Sequence, residues 1–241
     1  MDNQILRTFL FSIMLTFCFG KLVASEPENA TAIEQKVLGL WLYTGLTTPE
    51  GKDMPLSGIF LFKDGFFMQY AEFDGEPIKD QRAMAHAGPF SVSGEFIHMF
   101  AEQTISTVPL ESKPYRVRGL TEHHTTVRRV GKDLTLVFSK GTGTVQNLEQ
   151  VGSGSGTVYK LQNGALALVD GYFILVSGDE NSSDAGYGRY EKKQDTITLM
   201  INRWSRADQS QATNLYDISI KGTFDGKSLS LEDGRSFRVI P

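Results

Sequence analysis

The chain has 241 residues, 40% hydrophobic and 22% charged, with a net charge of −4. That is ordinary globular composition, enough for one or two cores. No Lys/Arg-rich run gives it the electrostatic footprint of a nucleic-acid binder, so no nucleic-acid partner is expected. Sixteen Phe and 24 Gly favour β-structure with many tight turns.

At the N-terminus, Arg7 precedes the apolar run Phe9–Gly20, and Leu22-Val23-Ala24-Ser25 then offers small residues for cleavage. The pattern predicts a signal peptide over residues 1–25, hence a secreted or periplasmic protein with no stable membrane span after cleavage. A retained anchor is the alternative. The sole cysteine, Cys18, lies in this segment behind bulky Phe17, which argues against lipidation. The mature chain is then expected to lack a disulfide, a cysteine nucleophile and a thiolate metal site.

Residues 26–36 read as a polar leader, with one helical turn before Val37. Leu38–Gly45 is a first strand, and Thr47–Pro55 a polar loop. Ser57–Phe73 holds two apolar runs, Ile59–Phe62 and Phe66–Tyr70, around Lys63-Asp64-Gly65. Asp-Gly supplies the positive φ of a tight hairpin. Asp74–Ala85 reads as a loop or short helix over one barrel mouth. Gly88–Ser93 and Glu95–Gln103 are strands turned at Ser93-Gly94, and in the second both faces are apolar. Tyr115–Val130 and Asp133–Ser139 are further strands. Gly141–Gly156, rich in Gly, Ser and Thr, reads as a flexible junction.

The remainder repeats this order. Asp170-Gly171 matches Asp64-Gly65, Ile197/Leu199 match Ile97/Met99, and Leu229/Leu231 match Leu134/Leu136. A period near one hundred residues means duplicated domains or half-barrels, not a solenoid. Strands spaced without helical periodicity argue for a meander barrel or a sandwich, so the fold expected is all-β, an antiparallel meander barrel or barrels with two related halves in tandem, as two separate barrels or one composite sheet. The domain boundaries expected are 37–150 and 151–241, the second smaller.

Gly39-Leu40-Trp41 resembles the Gly-x-Trp opening of lipocalins. Gly58-Ile59-Phe60-Leu61-Phe62 with Asp64-Gly65, then Gly88-Pro89-Phe90, Ile97-His98, Pro109, and Arg128-Arg129 before Asp133-Leu134-Thr135-Leu136 are similar to bacterial lipocalin-like domains. The resemblance spans Val37–Phe138. It implies an up-and-down barrel whose interior takes a small, largely apolar molecule. It also implies an arginine, Arg128 or Arg129, stacked over Trp41 to close one end. The second half lacks a tryptophan at the equivalent strand start.

The ligand is expected among Trp41, Phe60, Phe67, Tyr70, Phe90, Met99, Tyr115 and Arg128, the last able to hold a carboxylate. All four histidines, His86, His98, His123 and His124, lie in the first half. Aligning His123 with Ile218 turns His123 inward and His124 outward. An inward His123 beside Glu122 suits general acid–base work, so an isomerase, hydratase or lyase on the same barrel is the alternative function. A non-catalytic envelope interaction module is a third. No metal site is expected, because adjacent His123 and His124 point to opposite faces of a strand and no HExxH occurs. No cofactor is expected either: Trp41 is not followed by the glycines of a nitrobindin-type haem barrel.

Overall fold

The computed structural model describes residues 30–74, 82–109, 113–140 and 142–241. The expected signal peptide lies outside these residues. Helix α1 (Ala30–Val37) is followed in order by β1 (Gly39–Thr47), β2 (Asp53–Met54), β3 (Leu56–Lys63), β4 (Phe66–Phe73), β5 (Ala83–Ser93), β6 (Phe96–Ala101), β7 (Gln103–Thr107), β8 (Tyr115–Arg118), β9 (Thr121–Val130), β10 (Asp133–Lys140) and β11 (Val145–Gly152). Then come β12 (Gly156–Leu161), β13 (Gly164–Val169), β14 (Tyr172–Gly178), β15 (Ser182–Lys193), β16 (Thr196–Asp208), β17 (Ala212–Phe224), β18 (Ser228–Leu231) and β19 (Ser236–Arg238).

The strands form two antiparallel barrels in tandem. In the first, β1-β3-β4-β5-β6-β9-β10-β11 follow one another in chain order, and β11 pairs back onto β1 to close the ring. In the second, β12 to β19 form an uninterrupted meander. It is nearly closed by a Leu161–Val239 bridge and by backbone hydrogen bonds from Gln162 to Arg238 and from Ile240 to Lys160.

The two Asp-Gly turns form as their sequence requires. Lys63 pairs with Phe66 and Val169 with Tyr172, leaving two-residue loops. Their φ values are 49° and 72° at Asp64-Gly65, and 48° and 74° at Asp170-Gly171. Positive φ at both positions matches the right-handed twist of the flanking strands.

The repeat holds down to single close contacts. A Cβ on Gly58 would meet Tyr70 O at 2.3 Å, and one on Gly164 would meet Val176 O at 1.9 Å. Gly88 lies against Phe100 O and Gly188 against Met200 O in the same way, at 1.9 and 2.0 Å. These are bends where only a hydrogen fits beneath the crossing strand.

Three apolar clusters fill the molecule. Phe60, Phe62, Phe67, Phe90, Ile97, Met99 and Leu136 pack inside the first barrel, where Ile33 and Val37 of α1 join them. Leu166, Phe173, Leu199, Trp204 and Phe237 pack inside the second. The third cluster lies between the barrels: Ile59, Leu61, Met68, Tyr70, Ala85 and Ala87 from the first meet Ala165, Ala167, Ile174, Val176, Ala185 and Tyr187 from the second. Equivalent hairpin faces of the two repeats therefore pack on each other. This explains why β3 and β4 are apolar on both sides: one side lines the lumen and the other is the barrel–barrel seam.

Three local expectations are corrected. Gly141–Gly156 contains strand β11, with Gln146 and Leu148 buried, and this strand closes the barrel. Residues 30–37 form a helix docked on the barrel through Ile33 and Val37, four residues apart on one face. Ala83 and Ala85 belong to strand β5 rather than to a loop.

Candidate functional site

The first barrel has one sealed end and one hollow end. At the sealed end Trp41 is fully buried and donates its indole N–H to Val37 O at 2.8 Å. The Arg129 guanidinium lies 5.0 Å from the Trp41 ring centre. It bonds to Gln150 Oε1 at 2.6 Å, Gly131 O at 3.0 Å and Lys36 O at 3.2 Å. Arg129, not Arg128, therefore supplies the stacked arginine. Alternation along β9 puts Arg128 on the outer face. The second barrel builds a comparable pair from other positions: Arg235 covers Trp204 at 4.3 Å and pairs with Asp184.

At the hollow end, a cavity of about 440 Å³ extends from the barrel interior to its mouth. Phe60, Phe67, Met99 and Phe138, with Leu46, Met54, Met84 and Ile105, supply its apolar lining. Of the expected ligand-binding residues, Phe60, Phe67 and Met99 line it. Trp41 and Phe90 lie in the packed part of the same interior. Tyr70 and Tyr115 do not face the lumen; both belong to the cluster between the barrels, where the Tyr115 hydroxyl donates to Asp179 O.

Strand alternation delivers polar groups to the cavity from β5 and β9. On β5, Met84 and His86 line the cavity while Ala83, Ala85 and Ala87 face the second barrel. His86 sits between Gln69 on β4 and Thr104 on β7. Its Nδ1 is buried and has no hydrogen-bond partner. Burial, with a smaller contribution from His123, pushes its pKa from 6.5 down to about 3. The His123 ring is edge-on to it at 5.4 Å, and burial lowers its pKa too. Both imidazoles are thus neutral at pH 7, each with one donor and one acceptor. Beside His86, Gln69 Nε2 donates to the Tyr43 hydroxyl, which donates to Gln146 Oε1, both at 2.7 Å. Arg82 and Arg116 complete the lining, and no described lining residue is a carboxylate.

The pairing needed for acid–base work does not form. His123 faces the cavity as expected, but Glu122 projects outward, exposed, with Oε1 2.7 Å from His124 Nε2. The partner of His123 is Thr121 Oγ1 at 3.4 Å, itself 2.6 Å from Thr104 Oγ1. Strand pairing also moves the alignment by one step. His123 opposes Met99 and Ile220 opposes Leu199, so Ile220 rather than Ile218 is its equivalent. The step is two residues, so the inward face is unchanged.

Sequence reading missed His86, Gln69, Gln146 and the two cavity arginines. The Ala-Met-Ala-His-Ala run from Ala83 to Ala87 carried the signal for His86: alternation of small and large side chains marks a strand with one face against close-packed neighbours. Gln69 and Gln146 gave none, because a polar residue on a strand reads as solvent-facing.

Comparison of the chain with protein-family models, curated proteins and solved structures finds no match. Any functional reading therefore rests on the geometry of the cavity itself.

Proposed function

We propose that the protein is an exported, lipocalin-like binding protein. Its ligand is a small, largely apolar molecule with one polar end, held in the cavity of the first barrel. One observation carries the reading: an apolar hollow of about 440 Å³ whose wall buries a neutral imidazole with a free nitrogen. The volume falls within the range of small-molecule sites, and few convergent polar groups on apolar walls are their usual chemistry. An unpartnered buried nitrogen costs free energy that a ligand's hydrogen bond recovers. The second barrel has a packed core and serves as a platform against the hairpin β3–β4. Export rests on the N-terminal apolar run alone.

The test is native mass spectrometry of the full chain expressed with its N-terminal segment, followed by titration with a fluorescent long-chain carboxylate. The expected results are one probe per chain and loss of binding in Met99→Trp, which fills the hollow. Empty protein, together with probe binding that Met99→Trp leaves unchanged, overturns the reading.

A further inference from the structure

A second cluster of chemistry-bearing residues stands on the outside of the same wall. His98 on β6 is paired directly with His124 on β9, and Glu122 lies two residues earlier on β9, hence on the same face. The two imidazole rings are 4.3 Å apart, and Glu122 Oε1 approaches His124 Nε2 to 2.7 Å. One ligand atom from each of the three residues lies within 4.8 Å of the other two. Phe96 and Phe100 flank His98 on that face. The Phe96 ring is edge-on to His98 at 6.4 Å, and Phe100 opposes Glu122.

We propose that His98, Glu122 and His124 form a binding site for a divalent transition-metal ion of the zinc type, separate from the cavity. Two imidazoles and one carboxylate are an established donor set for Zn²⁺ that leaves a fourth position open. With bonds of about 2.0–2.2 Å at tetrahedral angles, ligand atoms sit roughly 3.3–3.5 Å apart. Binding asks the Glu122–His124 contact to lengthen from 2.7 Å and the wider spacings, up to 4.8 Å, to shorten, shifts of the size that side-chain rotation supplies. A plain surface ion pair accounts for Glu122 and His124 but not for the second imidazole turned onto them. Ca²⁺ and Mg²⁺ are poor fits, because only one oxygen ligand is supplied. Cu²⁺ and Ni²⁺ share the preference for imidazole, and Cu²⁺ is expected to bind more tightly than Zn²⁺. The obstacle seen in the sequence, that adjacent histidines diverge, disappears here. The second imidazole comes from across the ladder and not from His123.

The ion joins β6 to β9, so it stabilises the first barrel by mass action. The experiment is isothermal titration of the full chain, without a histidine tag, with ZnCl₂ alone, alongside thermal melts with and without EDTA. One Zn²⁺ per chain and a higher melting temperature are expected. His98→Ala and His124→Ala each weaken binding at least about tenfold and abolish the rise, while their melts in EDTA show that they fold. His86→Gln, altered in the cavity instead, leaves the Zn²⁺ isotherm unchanged. Absence of stoichiometric binding, or binding that survives both alanine substitutions or is lost in His86→Gln, overturns the proposal.

Discussion

Replacing His86 by glutamine removes a titrating group from the cavity wall while keeping a polar side chain there. The expected consequence is a change in how stability depends on pH. In the unfolded chain His86 takes up a proton below about pH 6.5; in the fold burial delays this until about pH 3. Between those values the unfolded state binds more protons. The contribution is therefore intact above pH 6.5 and lost as the pH falls towards 3. Each tenfold weakening of proton affinity is worth about 1.4 kcal/mol, so the fall from 6.5 to about 3 sets a ceiling of roughly 5 kcal/mol. Water admitted to the cavity screens part of this, leaving an expected loss of about 2–4 kcal/mol. The groups around His86 do not reverse the sign: Gln69 and Thr104 are neutral, His123 is a base, and Arg82 and Arg116 are cations. The assay is urea unfolding from pH 7.5 to 4, followed by tryptophan fluorescence. Trp41 reports the first barrel and Trp204 the second, so Trp204→Phe isolates the relevant signal. Over this range, which stops about one pH unit short of the folded pKa, wild type is expected to lose about 1.5–3 kcal/mol more than His86→Gln. Parallel curves, within about 0.5 kcal/mol, would refute the reasoning.

Glu72 ties the barrels together: it is buried at the seam and accepts from Tyr70 at 2.9 Å, Tyr216 at 2.5 Å and Asn214 at 3.2 Å. Glu72→Ala is expected to cost about 3 kcal/mol or more in urea unfolding, since it strands three donors. Burial raises the Glu72 pKa, while the bonds from Tyr216 and Tyr70 pull it the other way. Glu72→Gln is expected to cost less than Glu72→Ala, because its amide oxygen still accepts, and the stability tied to the raised pKa to decline as pH rises through it. Arg129→Ala should destabilise the first barrel by about 2–3 kcal/mol, read from Trp41 fluorescence. Arg129→Lys should recover less than half, because an ammonium cannot stack on Trp41 while bonding three acceptors. Gly88→Ala and Gly188→Ala should each cost more than about 3 kcal/mol, because the new Cβ meets backbone oxygen. Each should melt its own barrel first, as judged by the two tryptophans.

The sequence by itself determined the fold class. Two Asp-Gly turns and apolar landmarks recurring at a nearly constant offset were enough to write an all-β chain of two related halves in tandem, because turns and strands are local properties of the backbone. It also put His123 on the lumen face and His124 outside, since strand alternation needs only parity. That the halves are two separate barrels was decided by closure, which is not local. Which of two apolar faces became the lumen was decided by tertiary structure alone. Tyr70 and Phe67 are both large aromatic residues on the same strand, yet Phe67 lines the cavity and Tyr70 packs on the second barrel. Alternation distinguishes the faces of a strand without saying which way the sheet curls. The sealed and hollow ends, the closure by β11, the burial of His86 and the meeting of His98 with His124 follow from that curl. They depend on which distant strands become neighbours, and no spacing along a single strand encodes it.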